Sequence, residues 1–320
     1  VTVDGERKPD EGWAETPYLL LDTVWRTDAK AELVGNAYVS YDSDYLYLFV
    51  NNTQSLSPIR VILDVDGSGN KTVGNWLNFC FYNWNKTGGR SAGAVEGSSL
   101  QLDIYCDFYK MYSETDHALW QKTAWHGFGD NGLAAMEMKI PMTEELKAGI
   151  ANKTVKLGVS VNDVYTSNEG FGYYAPKVPL NFEPVVTVPQ VIGCQVRDNG
   201  ETYDIRFAAV IGAVDLETAK AGFRLTYQGK TADVNCAYVY TAISGTDGVH
   251  TAGESDGYWL ICYTVCGFRK DKAYAMDVAA LLTPGAESAQ TVSESVLVNA
   301  AWDSEAGRVV IRQSKKNSAQ

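Results

Sequence analysis

Apolar and polar side chains alternate along most of this chain, and a period of two marks strands rather than helices. Residues 38–42 and 45–51 flank Ser43 and Asp44, a turn pair, which predicts a hairpin. Further strand-like runs lie at 59–64, 76–84, 100–109, 119–125, 133–140 and 156–163. Only 143–148, just after Pro141, suggests a helix. Many short strands with frequent turn residues predict an all-β fold made of β-sandwiches.

Pro176, Pro179, Pro184 and Pro189 interrupt this pattern and mark a boundary. New strand-like runs follow at 191–196, 203–211, 222–227, 237–243, 258–266, 273–282 and 292–298. The expected organisation is a first sandwich over 1–183 and a smaller sandwich of immunoglobulin or fibronectin III style over 184–320. The polar tail 313–320 reads as a frayed end.

The run 76–84 is the most informative. Leu77, Phe79 and Phe81 share one face and form core, which leaves Trp76, Asn78, Cys80, Tyr82 and Trp84 on the other. An ordinary solvent face carries Lys, Glu and Thr, not two Trp and a Tyr. The run 100–109 repeats the arrangement, with Asp103, Tyr105, Asp107 and Tyr109 facing away from the core, and 133–140 turns out Glu137 and Lys139. If these strands are neighbours, one face mixes aromatic platforms with carboxylates and amides. Sugar rings present C–H faces edged by hydroxyls, and that mixture suits them. The competing expectation is that a loop or the second sandwich covers the face as a secondary core. Aromatics near expected loops, namely Trp120, Trp125, Phe128, Tyr165, Phe171, Tyr173 and Tyr174, are weaker candidates of the same kind.

Composition narrows the partners. The formal net charge of −12 and the absence of a basic stripe argue against nucleic acid. No apolar run approaches the ~20 residues of a membrane span, so membrane insertion of this segment is not expected. Val1 opens directly on folded-looking sequence without a signal peptide, as in a mature or trimmed chain. The six cysteines form no C-x-x-C pair and read first as buried thiols, with one or two disulfides left open.

Several motifs together resemble the family 9 carbohydrate-binding modules. The opening V-D-G-x₅-E-G-W, from Val3 to Trp13, is similar to that family's start. The hairpin around Tyr41-Asp42 and Asp44-Tyr45-Leu46-Tyr47-Leu48 resembles its central hairpin, and Val61–Asp66 with Asn70-Lys71-Thr72 resembles its I-D segment. Met136-Glu137-Met138-Lys139-Ile140-Pro141 and Gly158–Asp163 are similar to its closing strands. The resemblance covers about 1–181 and implies a sandwich that binds sugar, with a clamp aromatic at Tyr173 or Tyr174. The family's other clamp Trp has no counterpart in 54–58, and Ser160 stands where the family has glutamine. The second part resembles modules of surface proteins from gut Gram-positive bacteria, carried by Ile205–Ala209, Ala221-Gly222-Phe223 and Tyr263–Phe268. That implies a secreted or cell-surface location within a larger protein or complex.

Asp64, Asp66 and Asn70 resemble the first half of a calcium loop, so a structural calcium ion is expected there; a plain Asp/Gly/Asn turn is the alternative. Haem is not expected, since no C-x-x-C-H occurs. Asp103 and Asp107 share a strand face, but nothing singles them out as the acid and base of a glycosidase. The expected function is non-catalytic binding of a glucan or plant cell-wall glycan. Trp76, Asn78, Tyr82, Trp84, Asp103, Tyr105, Tyr109, Glu137, Tyr173 and Tyr174 are the candidate contacts. A structural or adhesin-like surface protein is the alternative, and a glycoside hydrolase a more distant one.

Overall fold

The computed structural model describes residues 1–14, 16–22, 24, 31–52, 58–82, 95, 97, 98, 100–106, 111, 112, 118–128, 134–161, 164, 165, 178–180, 188–212, 214, 217–236, 239–244 and 257–315. The fold is all-β. Its first strands are β1 (Leu19–Asp22), β2 (Leu33–Tyr41), β3 (Tyr45–Asn52), β4 (Ile59–Asp64), β5 (Trp76–Tyr82) and β6 (Gln101–Tyr105). They continue with β7 (Ala124–Phe128), β8 (Ala134–Pro141), β9 (Lys156–Val161), β10 (Val164–Tyr165) and β11 (Val178–Pro179). All pair antiparallel, in the order β6-β5-β4-β9-β10-β1-β2-β3-β8-β7, with β11 beside β9.

The far ends of that path meet. Phe81 on β5 and Trp125 on β7 touch edge to face at 6.3 Å between ring centroids. One core takes Leu77 and Phe79 from β5, Leu46 and Leu48 from β3, and Met136 and Met138 from β8. The sheet therefore doubles over into two layers, and two-residue β10 links them. A Cβ on Gly127 in β7 would lie 2.5 Å from Leu100 Cδ1 and 2.6 Å from the Ala135 carbonyl, so glycine is required for that close approach.

The helix expected at 143–148 is present as Glu144–Ala151, capped by the Thr143 side chain accepting from Leu146 N at 3.2 Å. The run 119–125, read as one strand, is instead a helical turn, Ala118–Lys122, followed by β7. Trp120 and Trp125 are core residues rather than loop aromatics. Their indole N–H groups donate to the carbonyls of Tyr112 at 3.0 Å and Leu100 at 3.2 Å, which satisfies them in the interior.

The second half holds β12 (Gln190–Asp198), β13 (Thr202–Ile211), β14 (Lys220–Tyr227), β15 (Lys230–Asn235) and β16 (Val239–Ser244). After these come β17 (Gly257–Arg269), β18 (Tyr274–Thr283), β19 (Thr291–Val292), β20 (Val296–Asp303) and β21 (Arg308–Lys315). Two sheets form, β12-β13-β17-β16 and β15-β14-β18-β20-β21, with β19 on β18. Phe207 and Ile261 from one pack against Phe223, Val278 and Val298 from the other. Residues 313–315, expected in a frayed tail, belong to β21, which pairs with β20 from Val296↔Lys315 to Asp303↔Arg308. Among the described residues no helix is long and apolar enough to cross a membrane. All six cysteines are free thiols.

The sheet β12-β13-β17-β16 carries buried apolar side chains on both faces. Its second face gives Ile192, Ala208, Val210, Leu260 and Cys262, which pack against Leu20, Val24, Ala31 and Leu33 of the first half. The Thr16 side chain bonds to Tyr258 at the same seam.

A fourth apolar cluster covers the outside of β2-β3-β8. The segment before β1 crosses it and inserts Trp13 against Phe49, 6.3 Å between centroids, beside Tyr38 and Tyr47. The Arg7 guanidinium lies 4.1 Å from the Tyr38 ring centre. Beneath the crossing, Glu137 Oε2 accepts from the backbone N–H of Asp4 at 2.8 Å and of Gly5 at 2.9 Å. Burial pushes the Glu137 carboxyl up to about 7, against the downward pull of those two donors. Burial likewise pushes Asp22, which accepts from Val24 N at 2.9 Å, up to about 7.

Truncating the seam with Leu260→Ala should cost about 2–5 kcal/mol in denaturant unfolding, since the side chain is fully buried; a neutral result would mean that the two halves are not packed as described. The pH dependence follows from the two raised carboxyls, whose ordinary values are 4.5 for Glu137 and 3.8 for Asp22. Above those values the unfolded chain has released protons that the folded form still holds. Stability should therefore fall as pH rises from about 4 to about 7 and then level off. Glu137→Gln keeps an acceptor for the Asp4 and Gly5 N–H groups yet cannot ionise, so it should flatten part of that slope. An unchanged slope in thermal melts across this range would count against the Glu137 assignment.

Candidate functional site

The candidate residues divide between two outward faces. Trp76, Asn78 and Tyr82 on β5 and Asp103 and Tyr105 on β6 share one, because β5 and β6 are neighbours with Asn78↔Tyr105 and Cys80↔Asp103 in register. Glu137 lies on β8 in the other layer, under the N-terminal crossing, so the expected single face of β5, β6 and β8 does not form. Glu137 is a structural acceptor and not a partner of Trp76. Trp84, Tyr109, Tyr173 and Tyr174 lie outside the described residues.

The β6-β5-β4-β9 face is wider than the sequence pattern suggested. Arg60, Ile62 and Asp64 on β4 and Lys156, Gly158 and Ser160 on β9 continue it. Register aligns Asp103, Cys80, Arg60 and Ser160 in one row across the four strands, and Tyr105, Asn78, Ile62 and Gly158 in the next. At about 4.8 Å per strand a row spans about 14 Å. Arg60 lies between the core residues Ile59 and Val61 and so points away from the core. That β4 and β9 lie beside β5 depends on long-range pairing, which no local signal announces.

This face is not an open platform at its centre. Trp76 and Asn78 are each 3% exposed and Ser160 is 2% exposed. Tyr82, Asp103 and Tyr105 are half-buried towards the sheet edge. Asp103 Oδ2 accepts from the hydroxyls of Tyr105 at 2.9 Å and Tyr82 at 3.2 Å. Burial, then the bond to Asp103, holds the Tyr105 phenol well above its ordinary range, so it remains a donor. The expectation that Trp76 offers a solvent-facing ring is corrected: its indole is buried, with the Lys71 ammonium 5.5 Å from the ring centre.

The face also holds unfilled polar atoms, at its centre and on the edge strand β6. Asn78 Oδ1, Ser160 Oγ and Gln101 Oε1 are buried and receive no hydrogen bond. A buried acceptor left unpaired costs about 1–3 kcal/mol, and native interiors hold few of them. Three of them on one face offer acceptors to hydrogen-bond donors, and Glu137 Oε1 on the opposite face is likewise unfilled.

The expected calcium residues lie in the loop that joins β4 to β5. Asp64 Oδ2 accepts from Gly69 N at 2.8 Å, and Asp66 Oδ1 from Ser68 N at 2.8 Å. Those bonds hold Asp66 below the usual carboxylate range, the Ser68 bonds contributing most. Asn70 N donates to Ser68 Oγ at 3.1 Å. Among the described residues no three His, Cys, Asp or Glu side chains gather as a metal cage.

No protein-family model matches the chain, and a search of curated proteins finds no match to it.

Because the Trp76 indole is buried, Trp76→Ala should cost about 3–5 kcal/mol of folding stability. Chemical denaturation tests this, and a variant as stable as the parent would place the ring in solvent.

Proposed function

We propose that the first sandwich binds a neutral glycan, a glucan or a plant cell-wall polymer, on its β6-β5-β4-β9 face and without catalysis. The observation that carries this reading is the trio of buried, unfilled atoms at Asn78, Gln101 and Ser160 beside a half-buried Tyr82–Asp103–Tyr105 edge. Amide oxygens without donors call for a ligand rich in O–H groups. Carboxylates and phosphates bring only further acceptors and would leave them unfilled. Phenol rings at the rim supply apolar surface for sugar C–H faces. The resemblance of 1–181 to the family 9 carbohydrate-binding modules points the same way. On this reading the protein is secreted or displayed on a cell surface, and the second sandwich supports the first within a larger protein or complex.

The burial of Trp76 favours a second reading, in which this face is a secondary core of a structural or adhesin-like surface protein.

Affinity electrophoresis through amylopectin, xylan and β-glucan separates the two. Retarded migration on at least one polymer is expected. Tyr105→Ala and Tyr82→Ala should abolish it while the melting temperature stays near that of the parent, because both rings are half-buried. Unretarded migration of the parent on all three polymers would sink glycan binding and leave the structural reading. Release of reducing sugar would turn the proposal into a hydrolase.

A further inference from the structure

The loop after Asp64 follows a calcium-loop pattern further than its opening residues. Counting Asp64 as the first place, Asp66 is third, Ser68 fifth, Gly69 sixth, Asn70 seventh, Thr72 ninth and Asn75 twelfth. In a twelve-residue calcium loop the ion bridges side chains at the first, third and fifth places, the backbone carbonyl at the seventh and a bidentate carboxylate at the twelfth. Gly69 has the left-handed φ of +79° that suits glycine at the sixth place.

The twelfth residue inverts the chemistry. Asn75 Nδ2 donates to Asp64 Oδ1 at 3.1 Å and to the Asn70 carbonyl at 2.7 Å, the groups at the first and seventh places. Asn75 Oδ1 is committed elsewhere, accepting from Asp66 N at 2.8 Å. An N–H donor therefore bridges two oxygens that a calcium ion would otherwise bridge. Positive charge comes from β9, where the Lys156 ammonium donates to the Gly67 carbonyl at 2.7 Å. The remaining oxygen of Asp64 already accepts from Gly69 N.

We infer that this is a calcium-type loop closed without calcium, with the Asn75 amide nitrogen in the ion's bridging position and Lys156 as its fixed cation. The residues at Asp64, Asp66 and Asn70 do not fit a resident calcium ion, because an ion there would have to expel the amide and break both of its bonds. The loop's closure is then independent of dissolved calcium, and a carboxylate at the twelfth place is what it lacks to bind the ion.

Thermal unfolding of the full chain in EDTA and in millimolar calcium chloride, with calorimetric calcium titration, tests this. The parent should melt at the same temperature in both and give no binding heat. Asn75→Glu should melt lower than the parent in EDTA, recover by several degrees in calcium, and bind the ion. Asn75→Asp repeats the test with a shorter carboxylate. A calcium-dependent rise in the parent's melting temperature would overturn the inference. So would folded Asn75→Glu and Asn75→Asp proteins that both ignore calcium. If neither variant folds, the parent's response decides alone.

Discussion

The architecture of the first half depends on the closure of one long antiparallel sheet upon itself, sealed where Phe81 meets Trp125. That closure makes a single core from strands distant in the pairing order, and it decides which side chains share an outside. Glu137 and Asn78 both alternate away from the core, yet the fold sends them to opposite surfaces. Both surfaces are then covered at least in part. A polar side chain beneath such cover needs a partner, and the two sites answer this differently. Glu137 Oε2 takes two backbone N–H groups from the opening segment. Asn78 Oδ1 takes none. Glu137 Oε1, like Asn78 Oδ1, receives no bond, so it is the two backbone N–H groups on Oε2 that mark Glu137 as a structural anchor.

Period-two alternation made the strands legible. The β2-β3 hairpin, the core faces of β5, β6 and β8, and the helix capped by Thr143 follow from local pattern, because each is set by neighbours within a few residues. The two-residue β10 and β11 escaped that pattern, and so did three longer strands. β1 is four residues long and buried almost throughout, so it lacks alternation. β15 is almost wholly exposed and polar, and it pairs only because β14 offers an edge. β21 borrows its place from β20 in the same way.

The site was less legible than the fold. Alternation tells which way a side chain points from its own strand, but not what lies over it. Trp76 was rightly placed off the core and wrongly placed in solvent. Strand adjacency is likewise a global property: β4 and β9 became neighbours of β5 through pairings that span most of the first half. The opening V-D-G and the M-E-M motif were visible as separate signals. Their meeting, through Gly5 N and Glu137 Oε2, emerges only in three dimensions.

The apolar seam between the sandwiches has a mechanical consequence. Leu20, Val24, Ala31 and Leu33 meet Ile192, Val210 and Leu260 as sheet and flank, not through a thin tether. Torque applied to the second sandwich is therefore transmitted to β1 and β2 instead of being dissipated by swivelling. The pair is joined by a largely apolar contact, which cooling softens and sulfate-type salts strengthen.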